Sequence, residues 1–417
     1  MTEYIYRNLR NLFLCLFIEF LLSPANLILA QSESAWKIHV IDNTSFGADG
    51  TKLYDADQDG DLDIICGWEQ GNIARLYFNA SFPQRWSFVE VNAAAVEDAI
   101  IADLDQNGMP DIITFSEGDH RRITIHWAPA REHYFDSGKW ISEDIPVTID
   151  ITQWMFGESM DVDGKYGPDL IVGGKNKGAM LGWLEAPENP RAIKDWNLHK
   201  IAPVGWVMSI EIVDINQDRQ PDILISDRYG EDNGVKWFEN PGKESVRMNK
   251  KWQEHLIAMR GRQPMFLDVR RTANDELFEI WVPDAEAGIY HLTQMDMSGI
   301  KWKEEIISFP EFAGLRGKSI CTGDLNQDGV NELITTYEMA ENRSGVVCSY
   351  FNSNSRSWQH QDISGLKGVK YDFARLMDMD NDGDLDILTS EENNNNNKVP
   401  GLGVIWYENP WIGRGRN

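Results

Sequence analysis

Tryptophan returns along this 417-residue chain at an almost fixed interval, and each return opens the same kind of segment. The segments are WKIHVI at Trp36, WSFVEV at Trp86, WISEDI at Trp140, WNLHKI at Trp196, WQEHLI at Trp252, WKEEII at Trp302 and WQHQDI at Trp358, with steps of 50, 54, 56, 56, 50 and 56 residues. Apolar and polar positions alternate in them, which is the period of a half-buried β-strand. A fixed period of this length constrains the fold strongly. Each repeat is one supersecondary unit that must bury its face against its neighbours.

Each unit continues in the same way. A strand such as SIEIVD or FARLMD runs into an acidic loop, and a short apolar strand such as IITF, ILIS or ILTS follows. A Gly-rich turn then leads to a strand like GVKWFENP at Gly234 or GVIWYENP at Gly403. Four short strands per roughly 54 residues, without helical periodicity, predict an all-β fold: a seven-bladed β-propeller of four-stranded blades. The strand before the acidic loop is expected innermost and the Trp-opened strand outermost. On that phase Trp36 to Ile41 has no unit of its own. It is expected to close the ring by joining the last blade beside Gly403 to Asn409.

Six of the seven units carry the acidic loop. With the first Asp as position 1, oxygen-bearing side chains fall at positions 1, 3, 5 and 9, a main-chain carbonyl is expected at 7, and Gly stands at 6 in the better copies. Alternate spacing turns side chains inward around a tight turn, and Gly permits the positive φ that the turn needs. Hard oxygens in this number suit Ca²⁺ better than Mg²⁺. The candidate ligands are Asp55, Asp57, Asp59 and Asp63; Asp103, Asp105, Asn107 and Asp111; Asp214, Asn216, Asp218 and Asp222; Asp324, Asn326, Asp328 and Glu332; and Asp378, Asp380, Asp382 and Asp386. Asp161, Asp163 and Asp169 form a degenerate copy with Lys165 at position 5, and Arg219 replaces Gly in the fourth copy. The fifth unit, RTANDELFE from Arg271, has lost the motif. About four to six structural Ca²⁺ ions are expected.

These DxDxDGxxD loops, together with WYENP, resemble the FG-GAP/VCBS repeats of integrin-α-like propellers, in their bacterial secreted form. The resemblance spans roughly residues 36 to 410. It implies calcium loops on one face, tying the first and second strands of each blade together, and a ligand on the opposite face. It says little about activity, because one propeller fold hosts many functions.

Charge and the N-terminus narrow the setting. The formal net charge is -27, which argues against nucleic acid as a partner. Residues 1–30 read as a secretory signal, with Arg7 and Arg10 before the apolar NLFLCLFIEFLL and a cleavage point after Ala30. Residues 31–417 then form the single propeller, with no membrane span after cleavage, and the product is secreted, periplasmic or on the cell surface. Cys66, Cys321 and Cys348 read as small buried residues, with Cys321 and Cys348 the one pairing left open.

The partner expected on the working face is a carbohydrate or an extracellular protein. Three residues before each motif the ring reads Lys52, Ile100, Glu158, Glu211, Asp268, Cys321 and Arg375, with charges facing one another across a wet channel or satisfied as ion pairs. Trp154, Trp206 and Tyr371 stand at the mouth, either to stack on sugars or to pack between blades. The turns carrying His120, Arg121 and Arg122, and Arg228 and Tyr229, place cations beside a potential base. This is what β-elimination of a uronate polysaccharide requires. A polysaccharide lyase or other carbohydrate-active enzyme is therefore the alternative reading.

Overall fold

The computed structural model describes residues 35–80, 85–272, 276–393 and 400–411. The proposed leader, 1–30, lies outside the described residues. Among those described, no helix is long and apolar enough to cross a membrane.

The strands form six antiparallel sheets. Five are four-stranded and span 48–92, 96–144, 153–203, 207–258 and 268–307; the sixth has eight strands. In each four-stranded sheet the chain order is also the hydrogen-bonding order, so the Trp-opened segment is the fourth strand. The eight-stranded sheet is two sets of four, 316–362 and 370–408 with 37–42, joined by the single pair Glu338 and Lys370. Strand Lys37–Asp42 runs antiparallel to Gly403–Glu408, with Lys37 opposite Glu408.

Second strands such as Asp63–Trp68 and Asp111–Ser116 are buried along their whole length. Neighbouring sheets cover both of their faces, which is why they read as continuous apolar runs. Side-chain and main-chain bonds link each set of four to the next. Lys52 Nζ lies 2.8 Å from Asp98 Oδ2, Gly157 N donates to Asp98 at 3.1 Å, and Leu267 N donates to Ser209 Oγ at 3.1 Å. Thr322 Oγ1 donates to Asp268 at 2.9 Å and Ser319 Oγ to the Asp372 carbonyl at 3.1 Å. Gly50 N donates to Ser390 Oγ at 3.1 Å, joining the first unit to the last.

The opening strands converge, and the register of most of them shifts near the start, as between Trp154 and Phe156 and between Tyr371 and Ala374. Such a bulge adds a residue on one strand and re-aims the side chains around it. Phe156 and Phe373, with Phe266 from the segment before Asp268–Arg271, meet in one buried layer. Their ring centroids are 5.3 Å (Phe156–Phe266), 6.0 Å (Phe156–Phe373) and 3.9 Å (Phe266–Phe373) apart. Of the two readings left open for the centre, a wet channel or satisfied ion pairs, this apolar layer disfavours a channel open along its whole length.

The cysteines are free and buried. Cys321 and Cys348 face Ile334 from its two sides. Two strand spacings, roughly 10 Å, separate them, which is beyond disulfide reach.

Candidate metal centres and ligand face

Each acidic loop joins a first strand to a second. The carboxylate at position 9 sets the corner. In five loops one of its oxygens accepts the main-chain N–H of position 2 and the other accepts an N–H just beyond the third strand. Asp63 does so with Ala56 and Asn79, Asp111 with Leu104 and Ala128, Asp169 with Val162 and Ala186, Asp222 with Ile215 and Asn240, and Asp386 with Met379 and Asn409. Glu332 accepts from Leu325 N and Asn326 Nδ2. Burial pushes these acids up, Asp63 to about 6, Asp111 to about 8, and Asp169, Asp222, Glu332 and Asp386 to about 7.

Position 1 shapes the turn. Asp103, Asp214, Asp324 and Asp378 each accept the N–H groups of positions 5 and 6. Position 6 has positive φ in these loops and in the first: Gly60 at 99°, Gly108 at 87°, Gly329 at 87°, Gly383 at 93°, and Arg219 at 71°. Arg219 thus adopts the backbone its glycine counterparts use, at a steric cost of about 1 kcal/mol.

One oxygen from each of Asp55, Asp57 and Asp63 lies within 4.8 Å of the others, and the same holds for Asp103, Asp105 and Asp111, for Asp161, Asp163 and Asp169, and for Asp378, Asp380 and Asp386. Asp57 Oδ1 and Asp380 Oδ1, both at position 3, are buried without a hydrogen-bond partner. A buried carboxylate oxygen lacking a donor, among other carboxylates, fits a hard divalent cation. Asp59 and Asp382, at position 5, fall outside these clusters, and neither Asp214, Asp218 and Asp222 nor Asp324, Asp328 and Glu332 come together at this distance among the described residues.

Two loops differ. Lys165 Nζ lies 2.8 Å from Asp163 Oδ2, and Lys243 Nζ lies 2.6 Å from Asp161 Oδ2. In the second loop Arg191 Nε sits 2.5 Å from Asp105 Oδ2. Protein cations already neutralise part of these carboxylate sets. In the fifth unit, residues 273–275 of the lost motif lie outside the described residues.

In the centre, Lys52 pairs with Asp98 at 2.8 Å and with Glu158 at 3.1 Å. Arg270 reaches Asp268 at 3.2 Å. Burial raises Glu211 to about 7, with Arg375 opposing and Glu158 and Asp268 adding to the rise. Arg375 stacks 4.6 Å from the Phe373 ring. Ile100 is instead packed in an apolar core, and burial pushes the Cys321 thiol up to about 12.

The rim residues separate into core and surface. Trp154 and Tyr371 are fully buried, which selects packing over sugar stacking for these two. Trp154 Nε1 donates to the Thr148 carbonyl at 3.0 Å, and Tyr371 Oη donates to the Lys367 carbonyl at 2.7 Å. Trp206 is half-buried. Lys175 Nζ lies 4.4 Å and the Arg228 guanidinium 5.0 Å from its ring. Tyr229 is 5.5 Å away, and its hydroxyl donates to Gln263 at 3.0 Å. Arg121 pairs with Asp150 at 3.2 Å and Arg122 with Asp144 at 2.8 Å. No contact among the described residues brings His120 or Arg121 to Arg228 or Tyr229, so the four do not form one cleft.

A second charged ring escaped the sequence reading. It lies six residues before the motifs, at Asp49, Glu97, Lys318 and Asp372, one pleat repeat further from the acidic loops than the ring at Lys52. Lys318 Nζ lies 2.8 Å from Glu338 and 3.2 Å from Asp372. Lys370 pairs with Glu392, and Lys175 with Glu117. Burial holds Asp49 well above the usual carboxylate range, with Glu97, Asp372 and Glu392 adding to the rise. Aligning the opening strands at two levels rather than one exposes this ring.

No protein-family model matches the chain, and no curated protein matches it. Solved structures do. A chain from the crystal structure of BBS1N in complex with ARL6DN aligns over 92% of this chain and 99% of its own, with a TM-score of 0.51 and 12% identity. A gluconolactonase, XC5397 of Xanthomonas campestris, aligns over 92% of each chain with a TM-score of 0.46 and 10% identity. The NanB sialidase of Streptococcus pneumoniae aligns over 90% of this chain and 70% of its own, with a TM-score of 0.47 and 8% identity. At such identities the likeness speaks to fold alone, and with the sheets described above it makes this chain similar in architecture to β-propellers.

Proposed function

We propose that this chain is a secreted, calcium-stabilised, seven-bladed β-propeller of the FG-GAP/VCBS type, which binds a carbohydrate or protein ligand on the face opposite its acidic loops. The count of seven is supported by the single pair, Glu338 with Lys370, at which the eight-stranded sheet divides into two sets of four. The closure reading is supported by the pairing of strand Lys37–Asp42 with Gly403–Glu408. The observation that carries the calcium reading is the buried, donorless oxygen at position 3, Asp57 Oδ1 and Asp380 Oδ1, beside two further carboxylates. The cation would supply charge neutralisation at the blade corner. The chain's own position-1 and position-9 residues hold the turn through main-chain N–H groups.

The ligand half of the reading rests on Trp206 and Tyr229, which lie at the far end of the strands from those loops. The experiment is a two-part binding study on the mature chain. Calcium titration by calorimetry should report several sites. A saccharide panel and a pull-down with cell-surface material should yield a ligand whose binding Trp206→Ala weakens at least about tenfold, roughly 1.4 kcal/mol. An absence of calcium uptake removes the first half. Retention of full affinity by Trp206→Ala removes the second.

A further inference from the structure

We propose that Arg228, with Tyr229 and Trp206, forms an anion-recognising subsite whose ligand is a saccharide bearing carboxylate or sulfate groups. The inference rests on the reading that this face binds a ligand, and it adds the ligand's chemical class.

Arg228 is 6% exposed. Its Nε has no hydrogen-bond partner, and its Nη2 reaches Gln263 Oε1 only at 3.5 Å. No carboxylate lies within ion-pair distance of it among the described residues. Glu338, the acid that acts on it from further away, is held by Lys318 at 2.8 Å. The chain has 66 acidic and 39 basic residues apart from histidine, so a counter-ion was abundant and is missing here. A charge buried without a counter-ion is costly. The neighbourhood adds like charge. Arg316 keeps its carboxylates at 3.9 and 4.0 Å, and Arg262 is exposed on the adjoining loop.

The aromatic frame selects the kind of anion. The guanidinium lies 5.0 Å from the Trp206 ring and 4.9 Å from the Tyr229 ring, and Tyr229 is 39% exposed. A sugar offers a C–H face for the exposed ring, and a uronate or sulfate group fixed on that sugar meets the fork of the guanidinium. A guanidinium held against two adjoining rings has little freedom left to lose on binding.

The test uses the full mature chain, an oligogalacturonate, a sulfated oligosaccharide, a neutral galacto-oligosaccharide of equal length and an aspartate-rich peptide, read by calorimetry and tryptophan fluorescence. At low salt at least one acidic sugar should bind roughly tenfold or more tighter than the neutral one, and added salt should erase the margin. Arg228→Gln should abolish that margin, and Arg228→Lys should keep part of it. Tyr229→Ala should weaken acidic and neutral sugars alike. Equal affinity of wild type for acidic and neutral sugars overturns the anion class and leaves saccharide binding by this face intact. Binding of neither sugar overturns both. Tighter binding of the peptide than of any sugar overturns the saccharide class. Should Arg228→Gln fail to fold, Arg228→Lys and the salt dependence of the wild type decide the matter.

Discussion

Lys243 reaches from the fourth unit to the third and places its Nζ 2.6 Å from Asp161 Oδ2. Lys165, at position 5 of that loop, holds Asp163 at 2.8 Å. Two ammonium groups thus stand where other loops gather carboxylate and amide oxygens. The third loop is expected to bind no calcium in the wild type. Replacing both cations, Lys165→Asp with Lys243→Ala, should raise the calcium stoichiometry by one in a calorimetric titration. An unchanged stoichiometry would count against this account. Lys243→Ala alone should cost about 0.5 kcal/mol, because both partners are half-exposed.

Calcium removal should lower the melting temperature, since an ion held by the native state stabilises by mass action, about 2.7 kcal/mol per site at one hundred times Kd. Asp380→Asn weakens one site at its buried oxygen. Its melting temperature should fall below that of wild type in calcium and match it in excess chelator. Equal deficits in both conditions would mean that Asp380 acts without metal.

The layer of Phe156, Phe266 and Phe373 stabilises the centre by excluding water. Phe373→Ala should cost about 3–5 kcal/mol, whereas Phe373→Leu should cost much less. Denaturant unfolding measures both. A loss below about 1 kcal/mol for the alanine variant would show a solvated centre.

Glu211 makes stability depend on pH. Burial raises its acid from the usual 4.5 to about 7 in the folded chain. The folded state therefore favours the protonated form, and the associated stability is complete below pH 4.5 and is lost as pH rises through about 7. Glu211→Gln should be close to wild type near pH 5 and more stable above pH 8, by about 1–3 kcal/mol. A difference that does not change between those pH values would refute the role of Glu211.

The repeat was legible because its residues answer to local demands. Asp at position 9 must receive main-chain N–H groups, Gly383 must take positive φ, and the second strands must be apolar throughout. The sheets and the pairing of Lys37–Asp42 with Gly403–Glu408 follow from that phase. What failed to show was the direction of side chains near the start of the opening strands. A simple alternation puts Trp154 and Tyr371 at an open mouth. The bulges beside them shift the register, turning Trp154 and Tyr371 into the core and Phe156 and Phe373 to the centre. A bulge has no fixed residue signature when neither residue is Gly, so its effect is read from the backbone alone. Ion pairs between units escaped for a related reason. Arg191 with Asp105 and Lys243 with Asp161 span 86 and 82 residues, and no local pattern marks them.

The partnership of Lys37 with Glu408 spans 371 positions. During synthesis from the N-terminus, strand Lys37–Asp42 emerges long before its partner Gly403–Glu408. Until then it carries unpaired N–H and C=O groups along an edge, which is the state that invites pairing with other chains. The loop it must close is also very long, so its docking adds entropy cost late in folding. Manufacture of this protein therefore has its vulnerable interval between the emergence of these two strands. Moving the termini to the turn between Asp42 and Ala48, with 37–42 joined behind 403–411 through a short loop, would convert this long-range contact into a hairpin.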